Sequence, residues 1–261
     1  MASILEELAD AARARVAADK ERIPLDEMRA LAMSAPEPPS FYDALALPDM
    51  GFICECKKAS PSKGLIAPDF YPVAIALDYE AAGAAAISVL TEPTRFLGRD
   101  DYLREVAEAV DVPVLRKDFV VDEYMIYQAK ALGASAVLLI CALLDADTLT
   151  AYLGTCAEIG LDALVEAHDD AEVAQAVASG ARIIGVNNRN LADFTIDFEN
   201  SIRLRGKVPP SVLFVTESGI QTADDIALLA KHDVNAVLIG ETLMRAPDKR
   251  AMLDELRGGA R

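Results

Sequence analysis

Phe52-Ile53-Cys54-Glu55-Cys56-Lys57-Lys58 starts as an apolar run and finishes in charge. The same change recurs along the chain. Val112-Pro113-Val114-Leu115 runs into Arg116-Lys117-Asp118, Ala163-Leu164-Val165 into Glu166, and Ile183-Ile184-Gly185-Val186 into Asn187. Val212-Leu213-Phe214-Val215 runs into Thr216-Glu217-Ser218-Gly219. Continuous apolar runs suit parallel strands covered on both faces. Polar residues at the ends of strands spread from first to last point to a closed barrel with chemistry at one rim. Barrel enzymes draw their catalytic side chains from the C-terminal ends of several strands. A doubly wound open sheet would gather them at one switch point instead.

Outward from these stretches, eight strands are predicted: Phe52–Cys56, Ala85–Leu90, Val112–Leu115, Ala136–Ile140, Ala163–Val165, Ile183–Val186, Leu213–Val215 and Ala236–Ile239. Amphipathic segments fill the gaps, and the length of 261 residues is that of one (β/α)8 TIM barrel. Gly83, Gly133 and Gly180 each follow a helical pattern and precede a strand, where a left-handed residue ends the helix. Ile4 to Leu31 repeats apolar residues at helical spacing, and the segment 34–40 carries three prolines. The expected organisation is one domain: an N-terminal helical extension over 1–50 and a catalytic barrel over 51–261.

Apolar residues make up 52% of the chain, enough for one large core, and no run is long enough to span a bilayer. The first residues lack a basic region followed by an apolar core, so the cytoplasm is the expected location. Cys54, Cys56, Cys141 and Cys156 lie in apolar patterns and read as small buried hydrophobes. No Cys or His cluster completes a metal site. A net charge of −17 repels nucleic acid, and no basic stripe tracks phosphates. Lys57, Lys58, Lys63, Arg116, Lys117 and Arg189 nevertheless gather at strand ends and the loops after them. A basic mouth on an acidic body focuses an anion into one cleft.

Side chains alternate along a strand, so Glu55 and Lys57 share one face and Cys54 and Cys56 the other. Glu55 and Lys57 are expected to pair at the floor of the cleft, with Ser60-Pro61-Ser62-Lys63-Gly64 as a flexible loop over an anion. Lys117 can act as a proton donor or form an imine. Lys57 and Arg116 would lower its pKa and Glu166 would raise it, and the order of residues leaves the outcome open. Glu166 opposite an ammonium suits a base, Asn187 can orient the substrate, and Arg189 can clamp an anion. His168 follows Glu166 closely but lies past the strand, where a structural role is expected. Gly219 and Gly240 follow the last two strands, the usual phosphate cradle of such barrels.

The ordered motifs Glu55-x-Lys57-x-x-Ser60-Pro61-Ser62, Leu115-Arg116-Lys117-Asp118-Phe119, Leu164-Val165-Glu166, Gly185-Val186-Asn187-Asn188-Arg189-Asn190-Leu191, Glu217-Ser218-Gly219-Ile220 and Leu238-Ile239-Gly240-Glu241-Thr242-Leu243-Met244-Arg245 resemble the indole-3-glycerol phosphate synthase family. The resemblance covers nearly the whole chain. It implies a (β/α)8 barrel of tryptophan biosynthesis that closes the indole ring of 1-(2-carboxyphenylamino)-1-deoxyribulose 5-phosphate. Carbon dioxide and water are released, and neither metal nor organic cofactor is implied. It makes Lys117 the general acid at the ketone and Glu166 the base of the dehydration. Lys57 becomes the holder of the anthranilate carboxylate and a proton source for the departing hydroxyl. Glu55, Asn187 and Glu217 become orienting partners. Ser60, Arg189, Ser218, Gly219, Gly240 and Glu241 fall to the substrate and phosphate site, the last two through backbone N–H groups. Phe96 and Leu138 are candidates for its apolar lining. The expected partner is this small phosphorylated molecule, with no nucleic acid and no membrane, and the expected assembly is a monomer.

Three other readings compete. A class I aldolase-like barrel would use Lys117 as an imine-forming nucleophile on a sugar phosphate. A metal-dependent lyase would use Glu55, Glu166 and Glu217 as ligands, which two lysines in the same mouth oppose. A non-catalytic sugar-phosphate-binding barrel would bind without turnover.

Overall fold

The computed structural model describes residues 3–190 and 193–258. Leu191, the last residue of one motif above, lies outside the described residues. Eight parallel strands close into a barrel: β1 (Gly51–Cys56), β4 (Ala86–Leu90), β5 (Val114–Lys117), β6 (Ala136–Ile140), β7 (Asp162–Ala167), β8 (Ile183–Asn187), β9 (Leu213–Glu217) and β10 (Ala236–Ile239). β1 pairs with both β4 and β10, which completes the ring. Each strand runs into helix on the outside, so the expected (β/α)8 architecture holds.

Several boundaries differ from the predicted ones, and chemistry explains the shifts. Strand β5 begins two residues later than expected, after Pro113, which has no N–H to give the ladder. At the other end β5, β7, β8 and β9 extend through Lys117, Glu166, Asn187 and Glu217. The polar residues therefore belong to the strands themselves, and pleat alternation aims them.

The segment after β1 is a hairpin rather than an open loop. β2 (Ala59–Ser60) pairs antiparallel with β3 (Gly64–Leu65). The Ile66 and Ala67 N–H groups both donate to the Lys58 carbonyl, at 2.9 and 3.1 Å.

Two apolar clusters hold the molecule. The larger lies between the outer face of the barrel and its helices and includes Cys54, Cys56, Ile87, Val137 and Phe214. All four cysteines are buried and free, as small hydrophobes should be. The smaller cluster fills the barrel interior with Ile53, Ala86, Leu115, Leu164, Ile183, Val215 and Leu238. The short helix α3 (Phe41–Leu45) adds Phe41 and Leu45 to that inner cluster. The Tyr42 N–H donates to Asp162 at the start of β7, so α3 closes the end opposite the strand C-termini. The predicted helix stops are present: Gly83, Gly133 and Gly180 have φ of 82°, 86° and 85°.

Helix α1 (Ile4–Arg22) starts with a capping box between Ser3 and Glu6. α2 (Leu25–Ser34) follows it and packs on α6 (Tyr124–Ala131). Charge fixes these helices to the barrel. Arg15 donates to both carboxylate oxygens of Asp118 at 2.7 Å, Lys20 pairs with Asp122 at 2.7 Å, and Arg29 pairs with Glu123 at 3.0 Å.

Candidate active site

The strand C-termini open into a cleft of about 520 Å³. Every residue proposed from the sequence as catalytic or binding lines it: Glu55, Lys57, Ser60, Lys117, Glu166, Asn187, Arg189, Glu217, Ser218, Gly219, Gly240 and Glu241. Glu55, Lys117, Glu166, Asn187 and Glu217 converge because their pleat positions face inward at the C-terminal ends of their strands, and the others lie on the segments that follow strands.

Two ion-pair groups form the floor. Lys57 Nζ lies 2.5 Å from Glu55 Oε2. Across the barrel, Lys117 Nζ donates to Glu166 Oε2 at 3.2 Å and to Glu217 Oε2 at 3.0 Å. Burial disfavours the Lys117 ammonium, but Glu217, Glu166 and Glu55 outweigh burial and raise its pKa. The carboxylates therefore win the competition that the sequence left open. Arg116 takes no part in it. As the next residue along β5 it points the other way, fully buried against the helices. It donates to Thr91 Oγ1, the Met125 carbonyl and Gln128 Oε1, and pairs with Asp100 at 2.9 Å. The expected basic rim thus loses Arg116, which is structural, and Lys58 also lies outside the cleft lining.

The two carboxylates that share Lys117 are pushed apart. Burial works against the Glu166 charge, but Lys117 and the neighbouring His168 lower its pKa. The Glu217 carboxyl is pushed up to about 7 by burial, against the pull of Lys117 and with Glu166 and Glu55 adding to the rise. One carboxylate thus favours the ionised form while its neighbour shares the ammonium and holds a proton more readily.

The end of the cleft after β9 and β10 is shaped by backbone. Ser218 and Gly219 both take left-handed conformations, with φ of 66° and 89°. A Cβ on Gly219 would lie 2.9 Å from Ile196. Gly240 caps the short helix α11 (Glu241–Arg245), and Gly240 and Glu241 both line the cleft. Thr242 Oγ1 donates to the Ile220 carbonyl at 2.9 Å and ties the last two loops together. Lys63 reaches from the β2–β3 hairpin to Glu241 at 3.5 Å. The Arg189 guanidinium donates to the Phe194 carbonyl of its own loop at 3.3 Å.

An apolar wall faces these groups. Phe96 and Phe119 have ring centroids 6.1 Å apart, and Leu90, Leu138 and Ile140 continue the surface. Ile4, Leu5 and Leu8 of α1 complete it. Sequence reasoning placed Phe96 and Leu138 here but missed Phe119 and the α1 residues. Phe119 lies two residues after Lys117, a same-face spacing that could have identified it.

A closed barrel with ammonium and carboxylate groups gathered in a cleft at one rim belongs to the (β/α)8 class. Solved structures share the architecture. 3-Hexulose-6-phosphate synthase from Salmonella typhimurium superposes with a TM-score of 0.65 at 16% identity, over 79% of this chain and 96% of that one. Thiamine phosphate pyrophosphorylase from Pyrococcus furiosus gives 0.61 at 17% identity, over 84% and 96%. At such identities only the fold is shared. The sequence goes further: the chain belongs to the indole-3-glycerol phosphate synthase family, whose model matches residues 5–256. It is 52% identical to the indole-3-glycerol phosphate synthase of Ruminiclostridium cellulolyticum, over 98% of this chain and 100% of that protein. It is 49% identical to that of Lachnoclostridium phytofermentans, over 97% and 98%. Membership makes it a decarboxylating lyase of tryptophan biosynthesis.

Proposed function

We propose that this chain closes the indole ring of 1-(2-carboxyphenylamino)-1-deoxyribulose 5-phosphate with the residues of this cleft. The observation that carries the reading is Lys117, held between Glu166 and Glu217 and sharing one cleft with the Lys57–Glu55 pair. The Lys117 ammonium donates to the ketone oxygen as the ring carbon bearing the carboxylate attacks the ketone carbon. Lys57 holds that carboxylate until carbon dioxide leaves and the ring regains its aromaticity. Glu166 then takes the proton from the carbon between the nitrogen and the carbinol carbon as the new hydroxyl, protonated by Lys57, departs as water. Glu55, Glu217 and Asn187 orient these groups. The aryl ring lies against Phe96, Phe119 and Leu138. The phosphate is held by Ser218, Gly219 and the Gly240 and Glu241 N–H groups, with Ser60 and Arg189 completing the substrate contacts.

The imine alternative needs a neutral amine at Lys117, and three carboxylates oppose that. The carboxylates of the metal alternative are already engaged by ammonium groups. Among the described residues, no group of three or more Cys, His, Asp or Glu could hold a metal. No helix among them is long and apolar enough to cross a membrane. The reading includes a monomer acting in the cytoplasm, with residues 1–50 as a helical extension of the barrel and no nucleic-acid partner. The decisive experiment is purified protein incubated with the aminodeoxyribulose phosphate. Growth of indole fluorescence supports the reading, and binding without any spectral change refutes it.

A further inference from the structure

His168 lies just past β7, outside the cleft lining, and is gripped from two sides. Glu172 of α8 (Asp170–Ala178) accepts from the His168 backbone N–H at 2.8 Å, and the same Oε2 lies 3.0 Å from ring Nδ1. Asn200 donates to the His168 carbonyl at 2.9 Å. These bonds turn Nε2 toward Glu166 Oε1, at 3.4 Å, while Glu166 Oε2 takes the Lys117 ammonium. Buried Nε2 has no hydrogen-bond partner, and its contact with Glu166 Oε1 is an ion-pair distance only. With Nδ1–H given to Glu172, a neutral ring would set a lone pair against the Glu166 carboxylate, and a second ring proton removes that repulsion.

We propose that His168, clamped by Glu172, is a positioning residue that fixes Oε1 of the Glu166 base and keeps its carboxylate turned into the cleft. The inference rests on the reading of Glu166 as the base. The charged groups around the ring are Glu166 from β7, Glu172 from α8 and Glu217 from β9, with Lys117 of β5 beyond Glu166; α9 (Glu199–Arg205) contributes Asn200, whose Oδ1 accepts from Arg203 at 2.7 Å. Burial opposes the imidazolium, but these carboxylates raise its pKa.

The test compares kcat, KM and the pH profile of kcat for the wild type, His168→Ala, His168→Gln and Glu172→Gln. In His168→Ala, kcat should fall about tenfold with KM little changed, and the acid limb should move to higher pH because Glu166 has lost a neighbouring positive charge. His168→Gln, which can still donate to Oε1, should regain most of kcat but not the position of the acid limb. Glu172→Gln should move the limb the same way by less. An unchanged kcat and acid limb in His168→Ala overturns the proposal. So does an equal loss in both His168 variants with the limb unmoved, which is a purely structural effect. A second measurement needs no variant. The chain has two histidines, so nitrogen-15 spectra should show His168 doubly protonated at about pH 7, and a neutral ring there also overturns the proposal. Wild-type protein inactive on the aminodeoxyribulose phosphate overturns the functional reading itself, an outcome distinct from active wild type with an indifferent His168.

Discussion

Gly240 leaves room for Glu55. A Cβ at Gly240 would lie 2.1 Å from Glu55 Oε2 and 3.2 Å from Lys57 Nζ. The two residues stand on the neighbouring elements β1 and the end of β10, so the closest ion pair of the site exists because the adjacent strand presents no side chain.

Gly240→Ala should therefore displace the Glu55 carboxylate and pull Lys57 with it, while the fold stays intact. An error of about 1 Å in such a group costs roughly 10²-fold in rate. Steady-state kinetics beside a thermal melt check this, and full activity with an unchanged melt contradicts it.

Lys117→Met should abolish turnover, with a loss of at least about 10²-fold as expected for a lost general acid. Binding of a phosphate ester should survive, because the proposed phosphate site lies on the loops after β9 and β10. Substantial residual activity would remove Lys117 from the role of acid.

Glu166→Gln should stall the reaction after ring closure. Rapid quenching with product separation should reveal a decarboxylated, still hydroxylated intermediate. Wild-type progress curves would place the base elsewhere.

Stability should carry the imprint of Glu217. Its folded pKa lies above the ordinary carboxylate value, at about 7, chiefly through burial. Between those values the folded state holds more protons than the unfolded one, so stability falls as pH rises through that window. Glu217→Gln should flatten this part of the profile, as read by denaturant titrations at several pH values. An identical slope in the variant contradicts the assignment.

Asp118→Ala should destabilise by about 3–5 kcal/mol, since it removes a buried carboxylate and leaves Arg15 without its partner and Arg116 with Asp100 alone. Its effect on stability should exceed any effect on KM, measured on whatever fraction folds. A small loss, below about 1 kcal/mol, would mean the pairs behave like surface ones.

Much of this architecture is readable in the chain because parallel strands are apolar until they reach the rim, so the change to Glu, Lys or Asn marks both strand and site. Arg116 shows the limit of that reasoning. It looks like another rim cation until the pleat direction is known, and then it belongs to the helix layer with Asp100 and Gln128. Gly185 and Gly240 are similar. Their value lies in the space left for Glu217 and Glu55, which depends on cross-strand neighbours rather than local pattern. The hairpin after β1 escaped because two-residue strands have no periodicity to detect. The contribution of α1 escaped because helical spacing says which face is apolar, not what that face meets.

That last feature bears on biosynthesis. Ile4, Leu5 and Leu8 are translated before the barrel, yet the cleft they help to line includes residues of β9, β10 and α11, which are made much later. The helix must wait with an oily stripe uncovered while the barrel is translated, the kind of delay in which nascent chains associate wrongly. Its flanking Glu6, Glu7 and Asp10 give this waiting segment an acidic coat, a safeguard against clumping at the moment of greatest risk.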